Sequence, residues 1–217
     1  MLSVICPIYN EAKYIDGCIQ SILLQDYPKQ QLEVLFVDGM SKDGTRNVVN
    51  EYSRRYPFIR LLDNERRIVP VAMNIGIKAS KGDIIMRLDA HAQYPSNYFS
   101  VLVRELKRLN ADNVGVACRT DVLNKNPKAL AIKEVLSNKF GVGNSTFRLG
   151  VNKVMEVDTV PFGCWRRDVF DKYGFYDERL VRNQDIELNK RIVRGGGHIF
   201  IVPDTYCTYL ARETFRS

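Results

Sequence analysis

The chain is poor in the residues that usually build metal centres and disulfide frameworks. It has two histidines, one tryptophan and five cysteines, at positions 6, 18, 118, 164 and 207. No two cysteines form a Cys-x-x-Cys pair. This odd, scattered set excludes a thiolate zinc site and suits a reducing compartment. No run approaches the roughly 18 uninterrupted apolar residues of a membrane span. The first residues lack the basic-then-apolar pattern of a secretory signal. Nucleotide fingerprints are missing as well. No Gly-x-Gly-x-x-Gly follows the first apolar run, and no Gly-x-x-x-x-Gly-Lys-Ser/Thr occurs, which excludes dinucleotide-type and P-loop sites. Without a Gly-x-Ser-x-Gly elbow, a Ser-His-Asp hydrolase has little support.

What is present is an ordinary globular composition. The 217 residues are 45% hydrophobic and 10% aromatic, with 32 Lys+Arg against 25 Asp+Glu and a net charge of +7. That length is enough for one buried core, or one core with an appended lobe. The positive excess forms no arm, tail or stripe, so a nucleic-acid-binding module is disfavoured. A solvated basic surface explains it better than a phosphate-bearing ligand or an anionic membrane surface does.

Short apolar runs at Leu2–Ile8, Leu32–Val37, Ile59–Leu62, Ile84–Leu88 and Val114–Cys118 read as strands covered on both faces. Between them, helical periodicity marks Ile15–Leu23, Thr45–Tyr56, Val69–Ala79 and Ser96–Leu109. This alternation predicts an α/β fold: a Rossmann-like, mostly parallel sheet with helices on both faces. After about residue 120 the rhythm breaks. A helix at Pro127–Asn138, a Gly/Asn/Ser stretch from Gly141 to Thr146, a strand-like segment Val154–Val160, a helix near Gln184–Arg194 and a strand Ile199–Val202 read as a smaller α+β lobe.

In open α/β sheets, ligands bind beyond the carboxyl ends of the strands. Here those ends are Pro7-Ile8-Tyr9-Asn10-Glu11, Asp38-Gly39-Met40-Ser41-Lys42-Asp43-Gly44-Thr45 and Asp89-Ala90-His91. Asp38 is expected to point into the crevice, where it can accept hydrogen bonds from a nucleobase or ribose; Asp43 or Thr45 caps the next helix. Asp89 and His91, two residues apart on extended chain, point the same way and can share a divalent cation, Mn²⁺ or Mg²⁺. A strand-end cap is the competing explanation. Asp185 falls in the first turn of a helix, where the dipole favours its charge; taken alone, plain helix capping is the favoured explanation. His198 precedes an apolar strand and reads as structural.

Taken in order, these segments resemble glycosyltransferase family 2, the inverting nucleotide-sugar transferases of the GT-A fold. The resemblance runs from about Ser3 to Pro203. Pro7-Ile8-Tyr9-Asn10-Glu11 is similar to the family's Pro-x-Tyr-Asn-Glu, and Val37 to Thr45 to its Val-Asp-Asp-Gly-Ser-x-Asp-Gly-Thr. Asn74-x-Gly76, Ala79-x-x-Gly82 and Asp83 lead into Asp89-Ala90-His91, at the place of Asp-x-Asp. Gln184-Asp185-x-Glu187-Leu188 falls at the Glu-Asp base motif. More narrowly, Asp89-Ala90-His91-Ala92, Phe140-Gly141-Val142-Gly143, Val157-Asp158-Thr159-Val160, Arg182-Asn183-Gln184-Asp185 and Gly195-Gly196-Gly197 look like succinoglycan-type exopolysaccharide transferases.

The resemblance implies one catalytic domain over 1–217, with a nucleotide-sugar half (1–120) and an acceptor and base half (121–217). It implies inverting transfer from a nucleoside-diphosphate sugar, with UDP the expected nucleotide, to a saccharide or lipid-linked acceptor in polysaccharide or glycolipid assembly. Asp185 is the implied base; Pro7, Tyr9, Glu11, Asp38, Arg66 and Asp89 are implied donor contacts. Asp89 and His91 are the implied metal ligands. Arg66 or Arg67 adds positive charge near the phosphates, with basic surface as the equal alternative. Partial burial is expected to raise the pKa of Asp185.

Two departures stand out: Gly39 replaces the family's second acid, and His91 replaces the second acid of Asp-x-Asp. No Gln-x-x-Arg-Trp is present, against a processive synthase; Tyr209-Leu210-Ala211-Arg212 lies in roughly that region. A nucleotide-sugar-binding protein without catalysis is the rival reading. A sugar nucleotidyltransferase is disfavoured, because Pro7 to Glu11 is not a Gly-rich phosphate loop. Relatives of the narrower group continue into hydrophobic segments, so 217 residues is expected to be the catalytic portion of a protein working at the cytoplasmic face of a membrane.

Overall fold

The strands can be derived from which face each apolar side chain must cover. In a computed structural model, which describes residues 1–122, 126–137 and 150–211, the first strand, β1 (Leu2–Ile8), sends Leu2, Val4, Cys6 and Ile8 to one side and Ile5 to the other. The second, β2 (Leu32–Asp38), does the same with Leu32, Val34 and Phe36 against Leu35 and Val37. Period-two alternation normally separates core from solvent. Here both sides are apolar, so both need helices.

They are supplied in sequence order. One face is covered by α1 (Ile15–Leu23), α2 (Thr45–Arg55) and, after β3 (Ile59–Asp63), β4 (Ile84–Arg87) and β5 (Ala92–Gln93), by α4 (Tyr98–Arg108). The other face takes α3 (Val69–Ala79) through Ala72, Met73 and Ile77. Gly76 lets α3 lie close: a Cβ there would come within 2.5 Å of Ile5 Cγ2.

The second half adds β6 (Asn113–Asp121), α5 (Pro127–Ser137), β7 (Met155–Glu156), β8 (Cys164–Arg166), α6 (Asp168–Tyr173), α7 (Gln184–Arg194) and β9 (Ile199–Leu210). Its strands extend the same sheet. Among the described residues the order is β3-β2-β1-β4-β8-β6-β9-β5, with β7 on β9. Pairings β1–β2, β1–β4, β2–β3 and β6–β9 are parallel. The short strand β8 runs antiparallel between β4 and β6. Helices α6 and α7 pack on the α3 side through Val169, Phe170, Leu188 and Ile192. This brings the first turn of α7 to the carboxyl end of β4.

The final strand is longer than the expected Ile199–Val202. The register against β6 shifts between Val116 and Ala117, so Val202 and then Tyr206 are the paired residues. Pro203 has no N–H for the ladder, and a bulge here lets pairing resume at Tyr206 and run to Leu210. That continuation carries Tyr209 to the ligand edge. The stretches Phe140–Gly143 and Gly141–Thr146, and residues 212–217, lie outside the described residues.

Candidate active site

A cavity of about 240 Å³ opens at the carboxyl ends of the parallel strands. One wall is Pro7, Tyr9 and Glu11 from the end of β1, with Gly39 beside them. Asn64, Arg67 and the start of α3 form a second wall, and Arg87, Asp89 and His91 a third. The first wall is stitched to the loop after β2. Asn10 N–H donates to Ser41 Oγ at 2.8 Å, Glu11 N–H to Thr45 Oγ1 at 2.8 Å, and Ala12 N–H to Asp43 Oδ2 at 3.0 Å. A side chain at position 39 would press on Tyr9, since a Cβ there would sit 3.0 Å from Tyr9 Cδ2.

Backbone strain gathers around this cavity. Asn10, Met40, Arg67, Phe162 and Asn183 all adopt positive φ, between 53° and 64°. Each costs roughly 1–2 kcal/mol for a residue with a Cβ. Such outliers concentrate where a loop is shaped for a ligand.

Asp38 departs from expectation. Its side chain is fully buried behind the cavity wall rather than open to the crevice. It accepts from Ser41 N–H at 2.9 Å, Ser41 Oγ at 2.5 Å and Arg46 Nη1 at 2.7 Å. A buried carboxylate must have such partners, and these consume most of its lone pairs. Asn64 stands in the cavity wall instead. It is buried, its Nδ2 donates to Ile68 O at 3.0 Å, and its Oδ1 has no hydrogen-bond partner among the described residues.

Arg66 and Arg67 separate as well. Arg66 Nη1 pairs with Glu178 Oε2 at 2.5 Å, outside the cavity lining. Its neighbour Arg67 lines the cavity.

Asp89 and His91 come together as the spacing predicts. His91 Nδ1 lies 2.9 Å from Asp89 Oδ1 and 3.5 Å from Glu11 Oε1. Burial pulls the imidazole pKa down, but the two carboxylates outweigh it and raise it to about 11. Burial likewise pushes Asp89 up, yet His91 and Arg87 outweigh that and hold it below the ordinary value. The ring is held in place by Tyr14 and Tyr209, whose ring centroids lie 6.0 and 4.9 Å away.

The pair fits a divalent ion. Neighbouring ligands on an octahedral ion with bonds of about 2.1 Å lie about 3 Å apart, close to the Asp89–His91 separation. One oxygen and one imidazole nitrogen suit Mn²⁺ or Mg²⁺, with phosphate oxygens or water completing the shell. Among the described residues no group of three His, Cys, Asp or Glu forms a ready-made metal cage.

Asp185 enters from α7. Its side chain is a quarter exposed, and both carboxylate oxygens accept from Arg87 Nη1, at 2.5 and 2.6 Å. Arg87 is the residue that sequence reasoning passed over. It is the single charge in the run Ile84-Ile85-Met86-Arg87-Leu88, and a charge in a strand expected to be buried was the available signal. Burial lowers the guanidinium pKa, but Asp185 and neighbouring groups overcome this and raise it. Asn74 also gains a physical role. It clamps the segment before α7, donating to Tyr176 O at 3.0 Å and Glu178 Oε1 at 2.9 Å, and accepting from Tyr176 N–H at 3.0 Å.

This is the GT-A architecture, with a cavity at the strand ends and a carboxylate beside it. Residues 3–174 match the family model described as Glycosyl transferase family 2, and the chain belongs to that family. Among curated relatives, a Methanococcus voltae dolichyl N-acetyl-alpha-D-glucosaminyl phosphate 3-beta-D-2,3-diacetamido-2,3-dideoxy-beta-D-glucuronosyltransferase is 27% identical over 99% of this chain and 68% of its own. The succinoglycan biosynthesis protein ExoA of Rhizobium meliloti is 30% identical over 96% of this chain and 63% of its own. The chain thus spans about two thirds of the length of these relatives. Among solved structures, Staphylococcus aureus TarS 1-349 with UDP superposes with a TM-score of 0.73 at 19% identity, over 95% of this chain and 60% of that one. The Pyrobaculum calidifontis mannosyltransferase PcManGT, in complex with GDP-Man and Mn²⁺, gives 0.75 at 22%, over 99% and 58%.

Proposed function

We propose that the chain is the catalytic part of an inverting glycosyltransferase, moving a sugar from a nucleoside-diphosphate donor, a UDP-sugar first, to an acceptor hydroxyl in polysaccharide or glycolipid assembly. One observation carries the reading: a carboxylate, Asp185, is held by Arg87 at the cavity wall that also carries the Asp89–His91 pair. A single displacement with inversion needs a base on the acceptor side and charge neutralisation on the leaving-group side. The two halves supply one each. Residues 1–120 give the cavity walls, and residues 121–217 give the base.

Pro7, Tyr9 and Glu11 form the wall against which the nucleotide rests, and Asn64 belongs to the facing wall. Arg67 faces the diphosphate; Arg66 joins it only by leaving Glu178. Asp89 and His91 hold the divalent ion, whose contribution when bound is Lewis-acid neutralisation of the leaving diphosphate. Asp185 takes the proton from the acceptor hydroxyl as the new bond forms. Arg87 stays charged throughout and holds the Asp185 carboxylate through both of its oxygens.

The cytoplasmic side of a membrane is the proposed place of work, supported by five cysteines that are all free and buried. No helix among the described residues is long and apolar enough to cross a membrane. The alternative, a nucleotide-sugar-binding protein without turnover, gains some support from Gly39 and His91.

The test is a panel of UDP-glucose, UDP-galactose, UDP-N-acetylglucosamine and GDP-mannose with Mn²⁺, scored by nucleoside diphosphate release. Release with one donor supports transfer. Binding of UDP without release from any of them supports the alternative.

A further inference from the structure

Arg87 places a charge inside an otherwise apolar sheet. It ends the central strand β4, paired through Ile5 to β1, and its backbone N–H donates to Gly163 O at 3.1 Å. Its side chain is 8% exposed, and its guanidinium lies 5.9 Å from the Phe162 ring centroid. Burying that charge costs several kcal/mol unless a partner compensates. The partner is Asp185, 98 positions further along the chain.

The helix carrying Asp185 does little to fix it. Asn183, the residue before α7, has left-handed backbone and makes no side-chain cap bond. Glu187, in the same turn, is engaged by Arg191 at 2.5 and 2.8 Å. Arg87 is the cation on the Asp185 carboxylate, and it ends a strand that is paired on both sides, by β1 and β8. Its single Nη1 contacts both oxygens, so other lone pairs of the carboxylate stay open toward solvent. Beside the pair, the buried Tyr176 hydroxyl interacts with both Asp185 and Arg87, and Arg87 Nε is buried with no hydrogen-bond partner among the described residues.

We propose that Arg87 is a positioning residue for the transfer reaction: it fixes Asp185 in one orientation at the cavity while leaving carboxylate lone pairs for the acceptor hydroxyl. The inference rests on Asp185 being the base, and it adds how that base is held. A pair retained only for packing would serve stability. A positioning pair serves the chemical step, because a displacement of about 1 Å at a reacting group can cost on the order of 100-fold in rate.

The experiment compares R87M, R87K and D185N with the parent chain. Turnover is followed on whichever panel donor the parent uses, UDP binding with Mn²⁺ by calorimetry, and folding by thermal melting. Positioning predicts that R87M loses about 100-fold in kcat with KM for the donor and UDP affinity nearly unchanged. R87K should retain more turnover than R87M, and millimolar guanidinium should restore part of the activity of R87A. A crystal structure of R87K should show Asp185 displaced or in more than one rotamer. Should R87M not melt cooperatively, R87K carries the same readouts.

An R87M protein with unchanged kcat, or with its loss confined to KM, overturns the inference; an inactive D185N beside it leaves the base assignment standing. Near-normal turnover in D185N removes the base and the inference together.

Discussion

His91 Nδ1 lies 2.9 Å from Asp89 Oδ1 and 3.5 Å from Glu11 Oε1, so one imidazole bridges carboxylates from two strand ends. The bridge predicts a pH dependence for the metal-free protein. The folded pKa of His91, about 11, lies above its ordinary 6.5. Its contribution is therefore complete below pH 6.5 and fades as pH rises from 6.5 towards 11. The Asp89 pKa is depressed, so its share is lost at the acid end instead. H91Q should cost about 2 kcal/mol near pH 6, and less at pH 9, by chemical denaturation with chelator present. An equal cost at both pH values contradicts the bridge.

Metal binding must displace that proton, because a ligating imidazole is neutral. Activity should disappear with chelator and return with Mn²⁺ or Mg²⁺. Mn²⁺ affinity, measured by calorimetry, should rise roughly tenfold per pH unit between 7 and 9, one proton being released per ion. Chelator-resistant turnover, or pH-independent affinity, removes Asp89 and His91 as ligands.

Asp38 sits buried behind the cavity wall, whereas Asn64 lines the cavity. D38A leaves the Ser41 N–H without its acceptor and Arg46 with Asp63 alone, and should cost about 2–3 kcal/mol of stability. N64A should change stability less and weaken UDP binding about tenfold, the worth of one hydrogen bond. A D38A chain that folds normally and loses UDP would restore the sequence reading.

The two arginines separate in the same assay. Arg66 pairs with Glu178 at an exposed position, where a salt bridge is worth about 1 kcal/mol or less. R67A should weaken UDP binding about tenfold and R66A by less than about threefold. The opposite order would show that Arg66 leaves Glu178 for the donor.

Much of this was legible in the residues. The bounds of β1, α1, α3 and α7 follow from apolar period and flanking polar residues alone. The ligand edge followed from three strand ends rich in acids. Three things were not legible, each for a physical reason. Strand β8 has three residues, too few for a periodic signal, and exists because β4 and β6 pair with it. The extent of β9 was hidden by Pro203, since sequence shows the break but not the bulge that repairs it. The orientation of Asp38 depends on Arg46, eight residues away on α2, and the Arg87–Asp185 pair on a contact across the whole sheet. Local pattern carries no information about either.

The central claim is that Asp185 takes the proton from the acceptor. The direct measurement is turnover of D185N beside its affinity for UDP with Mn²⁺. Loss of about 10²–10⁴-fold in kcat with UDP affinity within about threefold of the parent is the predicted result. Near-parental kcat, or a loss explained by failure to bind UDP, would contradict it.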